Sequence, residues 1–134
     1  MTNTEAISSV TDAFYKALNV LFTGDSKPMK DIWAHAEDVT YMGPDGLYLI
    51  GWEKIEDMWN SVAEMKLGGR VNPKQVHKVV GADMALITCI EFGENEIAGK
   101  SENVSIRSST TFHNRDGSWK VVAHQTDLLK YMES

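Results

Sequence analysis

Residues 84–93 read MALITCIEFG, and a little upstream residues 52–65 read WEKIEDMWNSVAEM. In the later run Ala85, Ile87, Cys89 and Glu91 alternate with Leu86, Thr88, Ile90 and Phe92, the period of two that sends successive side chains to opposite faces of a strand. In the earlier one Trp52, Ile55, Trp59, Val62 and Met65 recur at three and four, the period of a helix. Gly68 and Gly69 stand where the period changes. The pattern after them predicts a meander of long antiparallel strands at 71–80, 84–93, 102–113 and 118–128. Its turns are expected at Gly81-Ala82-Asp83, at the polar stretch Glu94 to Lys100, and at Asn114-Arg115-Asp116-Gly117.

Upstream of residue 70 the helical period dominates. Ile7, Val10, Phe14, Ala17, Leu18 and Leu21 predict an amphipathic helix over 3–23, with Thr2 and Glu5 at capping-box spacing and Gly24 to end it. Ser26 and Pro28 open a short second helix through Trp33, since proline is tolerated where the first amides lack partners. Residues 38–52, DVTYMGPDGLYLIGW, read as a hairpin around Gly43-Pro44-Asp45-Gly46. The third helix carries Glu53, Glu56 and Asp57 near its positive end. Helices first and sheet second make an α+β domain, here expected as one domain over 1–134.

Composition excludes several partners. With 13 basic against 19 acidic residues the formal net charge is -6, and the basic residues are scattered, which disfavours a nucleic-acid partner. No run approaches the roughly 18 apolar residues of a membrane span, and the N-terminus lacks a leader pattern, so a cytoplasmic protein is expected. Cys89 has no partner for a disulfide and reads as a small buried hydrophobe. His35, His77, His113 and His124 show no metal-ligand spacing, and neither a metal nor a cofactor is expected.

VTYMGPDG, GWEKIEDMW, Ile106-Arg107 and DGSWKVVAHQTD, in this order of elements, resemble the SnoaL-like branch of the nuclear transport factor 2-like superfamily over nearly the whole chain. The resemblance implies a strongly curved, mixed or antiparallel sheet wrapped around three helices as a cystatin-like cone with an open pocket. Members include ketosteroid isomerases, polyketide cyclases, dehydratases and a non-catalytic association domain, so the fold leaves function open. It also implies an acidic pocket residue at Glu91 and a clamp at Arg107 for an anion or carbonyl. Many close members end in Trp, a His-x-His and an Asp. Here Trp119 and Asp127 stand, but Ala123 and Gln125 replace the two histidines and His124 lies between them.

Strand alternation from Trp119 puts Val121, Ala123, Gln125 and Asp127 on one face and turns His124 to the other. Gln125 cannot titrate, so a catalytic base would be a buried carboxylate, Glu91 or Asp127 before Asp38, or else His124. Each has a plainer reading. Glu91 could form an ion pair at the sheet edge, parity places Arg107 on a solvated face, and Asp127 and Asp38 could be surface or capping residues. Trp33, Tyr41, Trp59 and Trp119 fall on core-facing stripes; the resemblance favours Trp33 and Tyr41 over Trp59 as pocket lining. Asp45 is expected to shape its turn. The functions left open are proton-transfer catalysis on a small apolar carbonyl compound, ligand binding without turnover, and association. A homodimer through the convex face of strands 84–93 and 102–113 is expected in any of the three.

Overall fold

The computed structural model describes residues 1–133. Helix α1 (Asn3–Leu21) opens with Thr2 and Glu5 capping each other reciprocally, and it buries Ile7, Thr11, Phe14, Tyr15, Ala17 and Leu21. A short α2 (Lys27–Asp31) begins with proline in its first turn. Strands β1 (Thr40–Met42) and β2 (Tyr48–Ile50) form the expected hairpin. In its turn Asp45 Oδ1 accepts from the Leu47 amide at 3.1 Å. Helix α3 (Trp52–Met65) buries Ile55, Met58, Trp59 and Ala63; Met65, placed on its apolar stripe by the sequence, is exposed instead.

Strands β3 (Arg70–Val80), β4 (Met84–Ile97), β5 (Lys100–Arg115) and β6 (Ser118–Thr126) complete a six-stranded sheet in the order β2-β1-β6-β5-β4-β3. The polar stretch expected as a turn is mostly ladder: Glu94, Asn95 and Glu96 pair with Asn103, Glu102 and Ser101. Asn95 explains part of this, being buried with its amide donating to the Gly68 carbonyl at 3.1 Å. The sheet is mixed, because β1 runs parallel to β6. Helix α1 packs against both β3 and β6. Those strands have two others between them, yet the α1 backbone comes closer to both than it does to β4 and β5. The sheet therefore curves around the helix, as a cystatin-like cone requires.

Two sequence details shape the interior. A Cβ at Gly93 would overlap the Arg70 carbonyl oxygen, so β3 and β4 approach there only because the residue is glycine. On β6 the register steps from Thr111↔Ala123 to Phe112↔Val121, leaving Val122 as an extra residue. Trp119, before this bulge, is half-buried against the core. No helix among the described residues is long and apolar enough to cross a membrane.

Candidate functional site

The alternation of β4 carries Ala85, Ile87, Cys89, Glu91 and Asn95 to the inside of the cone. Glu91 is 4% exposed. Its Oε2 accepts a hydrogen bond from the Tyr15 hydroxyl at 2.8 Å, and Tyr15 Oη lies 3.1 Å from Cys89 Sγ and 3.5 Å from Ser108 Oγ. Burial raises the Glu91 pKa, while hydrogen bonds from Tyr15 and Ser108 pull it back toward the charged form. Burial, reinforced by the Glu91 charge, drives the Tyr15 hydroxyl far above its usual range, so it remains a proton donor. The Cys89 thiol is likewise pushed up by burial.

His124 faces the same interior. The expectation that it points away from the pocket is corrected by the bulge at Val122, which reverses the alternation between Val121 and Ala123. Both Val121 and His124 are therefore buried, whereas Gln125 is exposed. His124 Nε2 stands 3.5 Å from Glu91 Oε2, and its Nδ1 lies 2.8 Å from Thr110 Oγ1. The rings of Phe14 and Tyr41 flank it at 4.9 and 6.2 Å between centroids. Burial lowers the imidazole pKa from 6.5 to about 3, so the ring is neutral at physiological pH.

A cavity opens beside this pair. Tyr41 on β1, Trp59 on α3, Asn95 on β4, Val104 and Ile106 on β5, and Thr126 on β6 wall it, with Asp45 at its rim. Among the described residues no Lys or Arg lines it. Leu129 and Met132, from the segment around a one-turn 3₁₀ helix (Lys130–Met132), close its far side. That segment is held by the Leu129 amide donating to the Pro44 carbonyl at 2.8 Å and by Tyr131 Oη donating to Asn95 Oδ1 at 3.3 Å. The free space is about 50 Å³. A single water needs roughly 10–15 Å³ on this measure, so the cavity suits a compound with a handful of heavy atoms.

Other candidates lie elsewhere. Arg107, Gln125 and Asp127 do meet, but in an open groove on the outer face of the sheet. There Arg107 Nε and Nη2 donate to the two Asp127 carboxylate oxygens at 2.8 and 2.9 Å. Arg107 and Gln125 as pocket residues, and Asp127 as an interior base, are thus corrected. Parity along β5 already opposed Arg107 to Ile106, and the bulge on β6 sent Gln125 and Asp127 outward with it. Asp38 is exposed and ion-paired with Arg115 at 2.9 Å. Trp33 is buried against Trp52 and Trp59 without lining the cavity, so the preference for Trp33 over Trp59 is reversed. Tyr15, Ser108, Thr110 and Thr126 were missed. Tyr15 was detectable, since Ile7, Thr11 and Tyr15 follow one another at intervals of four on a helix stripe, with a polar tip among apolar neighbours.

The chain resembles a proposed dehydratase of the NTF2-like family from Streptomyces avermitilis, with a TM-score of 0.83, 19% identity, and 96% of this chain and 97% of that one covered. It also resembles an NTF2-like protein with a cystatin-like fold from Novosphingobium aromaticivorans, with a TM-score of 0.74, 16% identity, and 94% and 83% covered. The association domain of C. elegans CaMKII follows the same path, with a TM-score of 0.72, 11% identity, and 93% and 97% covered. No curated protein sequence matches the chain. The family model described as the SnoaL-like domain matches residues 7–127, which span every element from α1 to β6, and the chain belongs to that family.

Proposed function

We propose that the cavity binds a small, apolar, carbonyl-containing compound and that Glu91, working with His124, moves a proton at the carbon beside the carbonyl. The observation that carries this reading is the buried pair itself, a carboxylate oxygen and an imidazole nitrogen 3.5 Å apart at the wall of a predominantly apolar cavity. Burial favours the uncharged form of both groups, which brings the carboxyl toward the range where it can take and return a proton.

The chemistry follows from the hydrogen bonds. With Glu91 ionised, its carboxylate accepts from Tyr15, and an Nε2–H tautomer of His124 faces it while the Thr110 hydroxyl donates to Nδ1. Glu91 abstracts the carbon-bound proton, the C–H electrons pass into the enolate, and the negative charge collects on the former carbonyl oxygen. The abstracted proton rests on Glu91 Oε1, while Oε2 goes on accepting from the Tyr15 hydroxyl and facing His124 Nε2–H, so the imidazole keeps one tautomer throughout. Replacement of that proton by one from solvent before delivery to the original carbon gives exchange, and delivery to another carbon gives isomerisation. The fold shared with a proposed dehydratase is consistent with a small-molecule pocket.

The test is deuterium incorporation from D2O into small cyclic ketones, followed by NMR. The expected result is enzyme-dependent exchange that falls by about 10²–10⁴ in Glu91→Gln, the usual contribution of a positioned base. Absence of exchange across the ketones, or exchange unchanged in the variant, overturns the reading. Binding without exchange would instead favour a locked carboxylate held by Tyr15 and Ser108, the non-catalytic alternative.

We further propose that the chain forms a homodimer through the outer sheet face. Val79 and Leu86 sit opposite each other there, and with Met84 and Phe92 they are 39–57% exposed. Apolar area of this kind on one face supports a partner. The likeness to an association domain is consistent with it.

A further inference from the structure

The proton-transfer reading uses Glu91, His124, Tyr15 and Thr110 but leaves two polar atoms of the same site unaccounted for. Trp59 Nε1 and Thr126 Oγ1 are buried and have no hydrogen-bond partner among the described residues. Both residues wall the cavity, Trp59 from α3 and Thr126 from β6, two residues beyond His124 on the same side of the strand. Leaving a buried polar atom unpaired costs about 1–3 kcal/mol, so native structures nearly always give such atoms a partner. Trp33 Nε1 is also unpaired, but it lies behind Trp59 and not on the cavity wall.

An indole N–H can only donate. Its missing partner is therefore an acceptor, and a hydroxyl beside the same space can donate as well. The acceptor is not an anionic group, because among the described residues the wall carries no Lys or Arg and does carry Glu91 and Asp45. Tyr41 packs against Trp59 with ring centroids 5.3 Å apart at 69°, which restrains the indole before any ligand arrives. Resting on the proton-transfer reading, we propose that Trp59 Nε1–H and the Thr126 hydroxyl are the donors that bind and orient the ligand's carbonyl oxygen, and that the cavity selects neutral ketones over hydrocarbons of the same shape. A donor already aimed where charge develops stabilises the enolate more than the ketone.

The experiment uses two probes of nearly identical shape, cyclohexanone and methylenecyclohexane, on the full chain and on Trp59→Phe and Thr126→Val, which keep ring and branch but remove the donor. Trp59→Phe is expected to weaken cyclohexanone by about fivefold, the scale of one neutral hydrogen bond, and to leave methylenecyclohexane within about twofold. Thr126→Val should act in the same direction. In the unmodified protein, cyclohexanone should move the indole ¹⁵N–¹H resonance that disappears in Trp59→Phe, a readout that does not depend on the variant's stability. The proposal is overturned if that resonance stays still, if the ratio of the two affinities is unchanged in both variants, or if neither probe binds. Failure here is separable from failure of the proposed reaction. Ketone binding with the resonance shift but no deuterium exchange keeps these donors and removes the catalysis, whereas exchange at full rate in both variants removes the donors and keeps the catalysis.

Discussion

The Tyr15 hydroxyl donates to Glu91 Oε2 at 2.8 Å across 76 residues of sequence, joining the first helix to the buried carboxylate on β4. The bond favours the charged form of Glu91 against the burial that disfavours it. Tyr15→Phe should therefore move the Glu91 pKa further up. Ketone exchange that depends on the carboxylate would then rise with pH along a limb shifted to higher pH, measurable as a pH-rate profile. Stability should fall by about 1–3 kcal/mol, because the carboxyl oxygen loses its buried donor.

The buried His124 should make the protein acid-labile. Its folded pKa of about 3 lies below the ordinary 6.5, so between these values the unfolded chain binds a proton that the folded chain does not. Stability is therefore fully present above pH 6.5 and is lost as pH falls toward 3, at up to about 1.4 kcal/mol per pH unit. Denaturant unfolding from pH 7.5 to 4.5 should show this slope, and His124→Gln should flatten it. An equal slope in the variant would place the acid sensitivity in other groups.

Burial of Glu91 has the opposite sign. A raised folded pKa means the folded chain holds a proton that the unfolded chain has released above about 4.5, so this contribution weakens folding as pH rises. Glu91→Gln should consequently raise the melting temperature more at pH 8 than at pH 4, even as it removes exchange.

Gly43 has no room for a side chain. A Cβ there would meet the Tyr41 hydroxyl and ring, and Tyr41 is 4% exposed. Gly43→Ala should destabilise by about 1–3 kcal/mol through the displaced ring. In a Tyr41→Ala background the same change should cost much less, a non-additivity that urea unfolding of the four proteins would reveal.

Phe92 on the outer face is 45% exposed and is covered on one side by Lys74, whose Nζ lies 3.3 Å from the ring centroid. If two copies pair through this face, Phe92→Glu should shift sedimentation from dimer to monomer at micromolar concentration without changing the melting of the isolated fold. A wild-type chain that sediments only as monomer removes the dimer.

The amino-acid pattern determined the class of fold and most of its elements. Helical and strand periods are local, and the capping pair Thr2–Glu5, the Gly-Pro-Asp-Gly turn and the alternation of β4 that buries Glu91 each need only a few neighbouring residues to be read. What the tertiary structure alone decided was parity and convergence. One inserted residue, Val122, turned His124 inward and Gln125 and Asp127 outward; no local propensity marks it, because a bulge is defined by the register against β5. The polar ladder at residues 94–97 likewise became strand by folding back as a tight hairpin on residues 100–103 and through the Asn95 bond to Gly68, 27 residues away. The site assembles Tyr15, Glu91, Thr110 and His124 from one helix and three strands. Their meeting is set by how far the sheet curves around α1, a property of the packed whole that short-range periodicity does not carry.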